Sequence, residues 1–245
     1  VDAARIPEYV NRAYQIATSG RPGPVVLALP EDMLVDIATV ADAAPSKAAQ
    51  AEPSANQLAQ LQAMLDKAER PIVVVGGGVW SQKAAEAIGR FATASDLTIF
   101  TTFRRQDYVA NDLPTYAGFL GVGMPASAIK RAKDSDLILA VGTRLGDVVT
   151  DGYAMFDLPR LKQTLIHIHP APDEIGAVWQ ADLPIVASPI AAAEAMAQLP
   201  PAAGRARWAA WTKDAHGDYV AEHKARSTPG AIDLTAIVKH LSDTL

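Results

Sequence analysis

Apolar residues recur along this chain with two different spacings, and each change of spacing marks an element. Over residues 5–19, Ile6, Val10, Ala13, Ile16 and Ala17 fall on one face at three- and four-residue intervals, which predicts a helix. Gly20-Arg21-Pro22-Gly23-Pro24 breaks it, and Val25-Val26-Leu27-Ala28-Leu29 follows as a continuous apolar run closed by Pro30. Such a run predicts a short strand covered on both faces, as in a parallel sheet. One helix and one strand cannot cover both faces, so the rest of that sheet is expected upstream of Val1.

Residues 36–55 are rich in Ala, Pro, Ser, Asp and Gln without a period and read as a linker. Regular alternation begins after it. A helix over 56–68 precedes strand Ile72–Val75, and Gly76-Gly77-Gly78 leads into a helix over 81–94. Strand Leu97–Thr101, a long loop, a helix over 125–133 and strands Leu137–Val141 and Thr164–His169 follow. A short strand near Ile185–Val186 and a helix over 189–198 complete the series. Strands alternating with helices predict an α/β fold, a doubly wound, Rossmann-like parallel sheet with right-handed crossovers, complete within residues 56–199. Pro200-Pro201 closes that unit. Trp208, Trp211, Ala215 and Tyr219 then form a stripe on a helix of 204–225, expected to pack on a neighbouring domain. After Ser227-Thr228-Pro229-Gly230, Asp233 is placed to cap a last helix carrying Leu234, Ile237, Val238 and Leu241, which reaches Leu245 without a partner for its apolar face.

Composition narrows the class. The 245 residues are 49% hydrophobic and 20% charged, the values of a soluble globular protein. At this length a compact chain buries roughly 70% of its unfolded surface, enough for a real core. A net charge of −5 and an aromatic content of 6% give no electrostatic or stacking case for nucleic acid or an anionic membrane as partner. With no cysteine, disulfides, thiolate metal sites and cysteine nucleophiles are excluded, and a cytoplasmic location is the expectation. No apolar run approaches the ~20 residues of a membrane span. The start, Val1-Asp2-Ala3-Ala4-Arg5, has no initiator Met and no signal-peptide pattern, so the chain is expected to be an excised piece of a longer product.

Candidate chemistry gathers at strand ends. Gly76-Gly77-Gly78 follows a buried strand and precedes a helix, where backbone N–H groups can approach a phosphate. The spacing is Gly-x-Gly-x-x-Ser, with Ser81 at the third glycine's place, and the next strand ends in Thr101-Thr102 rather than an acid. A standard NAD fingerprint fails on both counts, so a tight βα turn and a phosphate cradle both stay open. A second turn, Gly142-Thr143-Arg144-Leu145-Gly146-Asp147, places an arginine just past a strand. It is suited either to a bidentate phosphate contact or to a surface pair with Asp147. His167 and His169 share one face of their strand, with only Asp173 and Glu174 nearby to supplement them as metal ligands. Hydrogen-bonded strand-end histidines are the expected role, and no metal site is assigned. Phe103-Arg104-Arg105-Gln106-Asp107 is a charged loop start, solvated by default but able to reach a substrate or an adjoining domain. No nucleophile elbow or metallohydrolase motif occurs, so no catalytic residue is assigned. The turns converge because, in open α/β sheets, the rim at the strands' carboxyl ends is the ligand crevice.

These motifs, in order, resemble acetolactate synthase-like thiamine-diphosphate-dependent enzymes. The run from Gly20 to Asp32 resembles the end of that family's pyrimidine-binding domain. Pro71–Gly78, Thr101-Thr102, Ala140–Arg144 and Ile166–Pro170 with Glu174-Ile175-Gly176 resemble its central domain, and 231–245 the opening helix of its diphosphate-binding domain. The resemblance implies a division into 1–35, linker 36–55, central domain 56–199, linker helix 200–230 and 231–245. It implies a parent that forms or cleaves a carbon–carbon bond next to a 2-oxo acid carbonyl with thiamine diphosphate and Mg2+. Flanking domains would be its partners, in a homodimer or homotetramer. Gly76, Gly77, Gly78, Thr101, Thr102, Gly142, Thr143, Arg144 and His169 would line a crevice that holds ADP or FAD in some members and nothing in others. The family's activating glutamate belongs upstream of Val1 and its Gly-Asp-Gly…Asn segment downstream of Leu245, so the segment alone is expected to be inactive. Histidines stand at 167 and 169 where flavin-binding members usually carry aspartates, which favours ADP over FAD. The alternatives are a non-enzymatic nucleotide-binding module and a structural spacer.

Overall fold

The computed structural model describes residues 2–78, 80–224 and 226–244. Val1, Val79, Ala225 and Leu245 lie outside the described residues; the expected first piece begins at Val1, the expected helix of 204–225 ends at Ala225 and the expected last piece ends at Leu245. Six strands, β1 Pro71–Val75, β2 Thr98–Thr102, β3 Tyr116–Leu120, β4 Leu137–Val141, β5 Thr164–His169 and β6 Leu183–Val186, form one sheet in the order β3-β2-β1-β4-β5-β6. Every pairing is parallel. The expected doubly wound α/β sheet is what forms. β1 and β4 are neighbours but not consecutive, so the chain reverses direction across the sheet between them. That is the topological switch point, where such folds open a crevice.

The strands are apolar on both sides because helices cover both faces. On one face, Val73, Val75, Leu139, Val141, Ile166 and Ile168 meet α2 (Ala55–Leu65), α3 (Gln82–Ala94) and α5 (Pro189–Met196). On the other, Ile72, Val74, Phe100, Ile138 and Leu165 meet α4 (Ala126–Asp134) and the long 145–161 connection. Each large aliphatic side chain taken fully into these layers contributes about 1.5–3 kcal/mol over leaving it exposed. Helix starts are written locally. Ser54 and Gln57 form a reciprocal capping box at α2, and Ser81 accepts from Ala84 N–H at 3.1 Å to start α3.

Three findings differ from the expectation. β3 lies inside what reads as a long loop, because its Tyr-Ala-Gly-Phe-Leu sequence has little periodicity and Gly118 sits in it at φ +95°. Its register against β2 shifts between Ile99 and Thr101. The second difference is the Trp208 stripe. The helix carrying it, α6 (Ala209–Glu222), packs on the β2–β3 end of this same sheet and against α4. Trp208 is wholly buried and donates its indole N–H to the Ser95 carbonyl at 3.0 Å, and Tyr219 meets Tyr116 edge-to-face at 4.9 Å. Third, Val25–Leu29 forms no strand and is exposed, since no neighbouring strand offers it a hydrogen-bonding ladder. α1 (Ile6–Thr18) and α7 (Leu234–Thr244) form where the spacing places them, yet neither contains a buried residue.

Candidate functional site

The crevice is built from loop backbones that approach unusually closely. Gly76 N–H donates to the Val141 carbonyl at 3.1 Å, and Gly142 N–H to that of Ile168 at 2.8 Å, extending the ladder past the strand ends. A Cβ at Gly77 would collide with the Gly142 carbonyl oxygen, and one at Gly76 with the Thr102 side chain. Gly77 and Gly142 also sit at φ +85° and +73°, the left-handed region that only glycine enters without strain. These glycines are therefore needed to bring the β1 and β4 turns into contact, whatever else binds there. The turn's carbonyls are captured by two side chains that follow β2 and by one from the β1–α3 connection itself. Arg105 Nε donates to Gly77 O at 2.7 Å, the Tyr108 hydroxyl to Gly78 O at 2.5 Å, and Trp80 Nε1 to Gly76 O at 3.0 Å. Among the described residues, the Gly77 and Gly78 N–H groups donate to no protein acceptor.

Above these turns lies a cavity of about 530 Å³, large enough for a nucleotide-sized ligand. Seven of the nine residues expected there line it: Gly77, Gly78, Thr102, Gly142, Thr143, Arg144 and His169. Gly76 and Thr101 sit one position deeper. Gly76 is buried against Thr102, and the Thr101 hydroxyl is hydrogen-bonded to that of Tyr116 at 3.1 Å.

Charge is concentrated in this cavity. Arg21, Arg104, Arg105 and Arg144 line it, against Asp147 as the one acid among its lining residues. Arg144 is exposed and does not pair with Asp147. Its nearest carboxylate is Glu174 at 3.8 Å, an ion pair that Glu174 shares with Arg21. Glu174 is largely shielded, but Arg144 is itself more than half exposed and its contact is long, so its guanidinium stays open to the cavity. Arg104 and Arg105 belong to the charged loop start expected to be solvated or to reach a substrate, whereas nothing in the sequence marks Arg21 for the site. Arg21 comes from the first segment of the chain, and only the tertiary structure brings it beside β4 and β5.

Both strand-end histidines hydrogen-bond to backbone. His167 Nε2 donates to the Thr143 carbonyl at 2.8 Å, fixing the arginine turn from beneath. His169 Nδ1 lies 3.1 Å from Ala171 N, which can donate to it when the ring is neutral. Burial lowers the pKa of each below its usual value, outweighing the opposing effect of these backbone contacts and of Glu174. The His167 ring is thus held neutral, with its proton on Nε2.

An open parallel sheet with helices on both faces and an arginine-lined crevice at its switch point defines an α/β domain of the doubly wound type. The model of one family, described as the central domain of thiamine pyrophosphate enzymes, matches residues 58–196, more than half of the chain. The chain belongs to this family. It is 32% identical over 188 residues to a probable acetolactate synthase large subunit of Methanocaldococcus jannaschii, a match covering 74% of this chain and 31% of that protein. It is 30% identical over 205 residues to the acetolactate synthase large subunit of Corynebacterium glutamicum, covering 79% and 31%. To the large subunit of acetolactate synthase isozyme 2 of Escherichia coli it is 31% identical over 183 residues, covering 72% and 32%. The chain thus matches about a third of the length of these curated relatives. No helix among the described residues is long and apolar enough to cross a membrane.

Proposed function

We propose that this chain is the central-domain segment of an acetolactate synthase-like enzyme that acts on 2-oxo acids with thiamine diphosphate and Mg2+, and that its crevice holds an ADP-like nucleotide. The observation that carries the reading is the cavity at the β1–β4 switch point, lined on one side by a glycine turn whose Gly77 and Gly78 N–H groups meet no acceptor among the described residues and on the other by Arg144. Free backbone N–H groups and a guanidinium are the donors a diphosphate needs. We assign Gly77, Gly78, Thr102, Gly142, Thr143, Arg144 and His169 to the ligand-facing surface, with Gly76 and Thr101 as the layer behind it.

Thiamine diphosphate is proposed to be held elsewhere in the parent. Mg2+ is bound by several converging oxygens, usually carboxylates together with phosphate and water. Among the described residues no three His, Cys, Asp or Glu side chains stand together for a metal ion. The described residues of this chain do not fit that group. Thiamine diphosphate and Mg2+ titrated into the chain are expected to give no binding heat, and the chain alone no decarboxylation of pyruvate. The parent is proposed to be a cytoplasmic homodimer or homotetramer divided as the resemblance implies. The sheet helix α6 joins 56–199 to form the folded body.

A second reading, an empty scaffold, has its own support, since the close approach of the Gly77 and Gly142 backbones already requires glycine there. Calorimetry with ADP separates the two. The nucleotide reading expects measurable binding to the wild type and a loss of about tenfold or more in Arg144→Ala, equivalent to about 1.5–3 kcal/mol for one charge-assisted contact. A flavin absorption band in purified protein would replace ADP by FAD. Equal ADP binding by wild type and variant would remove Arg144 from the assignment.

A further inference from the structure

Arg104 is the arginine of the crevice that the fold leaves unused. Among the described residues its guanidinium enters no ion pair and no hydrogen bond, and its only aromatic neighbour is the Phe103 ring, 5.1 Å away. Arg105 is consumed by the carbonyls of Gly77 and Arg104, and Arg21 and Arg144 share Glu174. Arg104 also sits at φ +60°, a left-handed conformation that costs energy in any residue with a Cβ. That conformation is held from both sides. Arg105 N–H donates to the Thr102 carbonyl at 2.9 Å, the Arg105 side chain donates to the Arg104 carbonyl at 2.8 Å, and Phe103 packs where Gly121 has no Cβ. A strained, pinned turn thus presents a free cation to a cavity already rich in arginine.

Its place in the sheet order matters. β2 and β4 flank β1 two inter-strand spacings apart, roughly 10 Å, so the backbone turns that carry Arg104 and Arg144 leave the sheet on either side of the glycine turn. A diphosphate seated on the Arg144 side of the turn leaves Arg104, on the opposite side of the same cavity, able to meet another anionic group of the ligand. Resting on the nucleotide reading above, we propose that Arg104 is a specificity residue that receives a second, separate anionic group. The preferred ligand is then an adenine nucleotide diphosphate carrying a further phosphate on its ribose.

The test is calorimetry of the chain with ADP and with the 2′-phospho and 3′-phospho derivatives of adenosine 5′-diphosphate. One derivative is expected to bind about tenfold or more tightly than ADP, as a charge-assisted contact warrants. Arg104→Ala is expected to bring that ratio close to one, Arg104→Lys to restore part of it, and Arg144→Ala to weaken all three ligands. Thermal melts of both Arg104 variants check that the turn still folds. Equal binding of ADP and both derivatives by the wild type overturns this inference alone. So does an Arg104→Ala variant that loses ADP and derivative affinity in equal proportion, which would make Arg104 a stacking or structural residue. No heat from ADP or its derivatives overturns the nucleotide reading and this inference with it.

Discussion

The two ends of the chain and its central sheet obey the same local rules and reach opposite outcomes. α1 and α7 are amphipathic and well spaced, and Asp233 is a good cap, accepting from Ala236 N–H at 3.2 Å. Yet Val10, Tyr14 and Ile16 on α1, and Leu234, Ile237, Val238 and Leu241 on α7, are exposed. α3 has a comparable face, and there Ala84, Ile88, Phe91 and Ala92 are buried against the sheet and α5. The difference is not helix propensity but the presence of a partner surface. An apolar stripe stabilises a fold only in proportion to the area it removes from water.

That contrast can be broken most severely at the glycine contact. Gly77→Ala places a Cβ on the Gly142 carbonyl at a left-handed φ, and should destabilise the central domain by about 3 kcal/mol or more in urea titration. Gly23→Ala, with open space around it, should leave the midpoint unchanged. A small effect at Gly77 would mean that the two turns can separate.

Comparable in size is Trp208→Ala, expected to cost about 3–5 kcal/mol, because it empties a fully buried site and orphans the Ser95 carbonyl. Tyr14→Ala, on the exposed face of α1, should shift stability by about 0.5 kcal/mol or less. Equal effects at the two positions would show that α1 contributes to the cooperative core.

Limited proteolysis sharpens the boundary. Residues 200–208 are tied down by Ala202 N–H to Ser95 Oγ, Ala203 N–H to Asp66 and Arg207 Nε to the Ala68 carbonyl, at 2.7–3.1 Å. First cuts are therefore expected within 36–53 and after α6, leaving a fragment of about 55–222. Early cleavage at 200–208 would return α6 to the status of a separate linker.

The smallest expected effect is on pH dependence. Burial lowers the His167 pKa in the folded state, so below its usual value of about 6.5 the unfolded chain binds more protons than the folded one. Stability from this group is present above that value and is lost as pH falls through the lowered folded pKa. Urea midpoints should decline from pH 7.5 toward pH 5, with a shallower slope in His167→Gln. An unchanged slope would move the titration to other groups.

Along the chain, legibility followed the range of the interactions. β1 and β4 were plain because uninterrupted apolar runs mean strands covered on both faces, and β5 because Leu165, Ile166 and Ile168 carry enough of the same signal despite His167 and His169. α3 and α5 were plain from their periodicity and from Ser81 and Pro189 at their starts. β3 was illegible because Gly118 and Thr115 give no alternation, and pairing with β2 alone makes it a strand. Val25–Leu29 carries the same apolar signal as β1, but here it finds no ladder. At the site, the strand-end glycines, Thr102, Arg144 and His169 were marked by position, since motifs at carboxyl ends of parallel strands share one rim.

By itself, then, the sequence determined the alternation of strands and helices, the family, and the turns that meet at the switch point. All of these follow from contacts within a few residues or from the one-dimensional order of motifs. Only the tertiary structure decided that Trp208 packs on this sheet, that Arg21 reaches Glu174 across the molecule, and that Arg104 enters the crevice without an ion pair or hydrogen bond among the described residues. Those outcomes depend on which surfaces meet in space, and burial and charge pairing are properties of the meeting rather than of either segment alone.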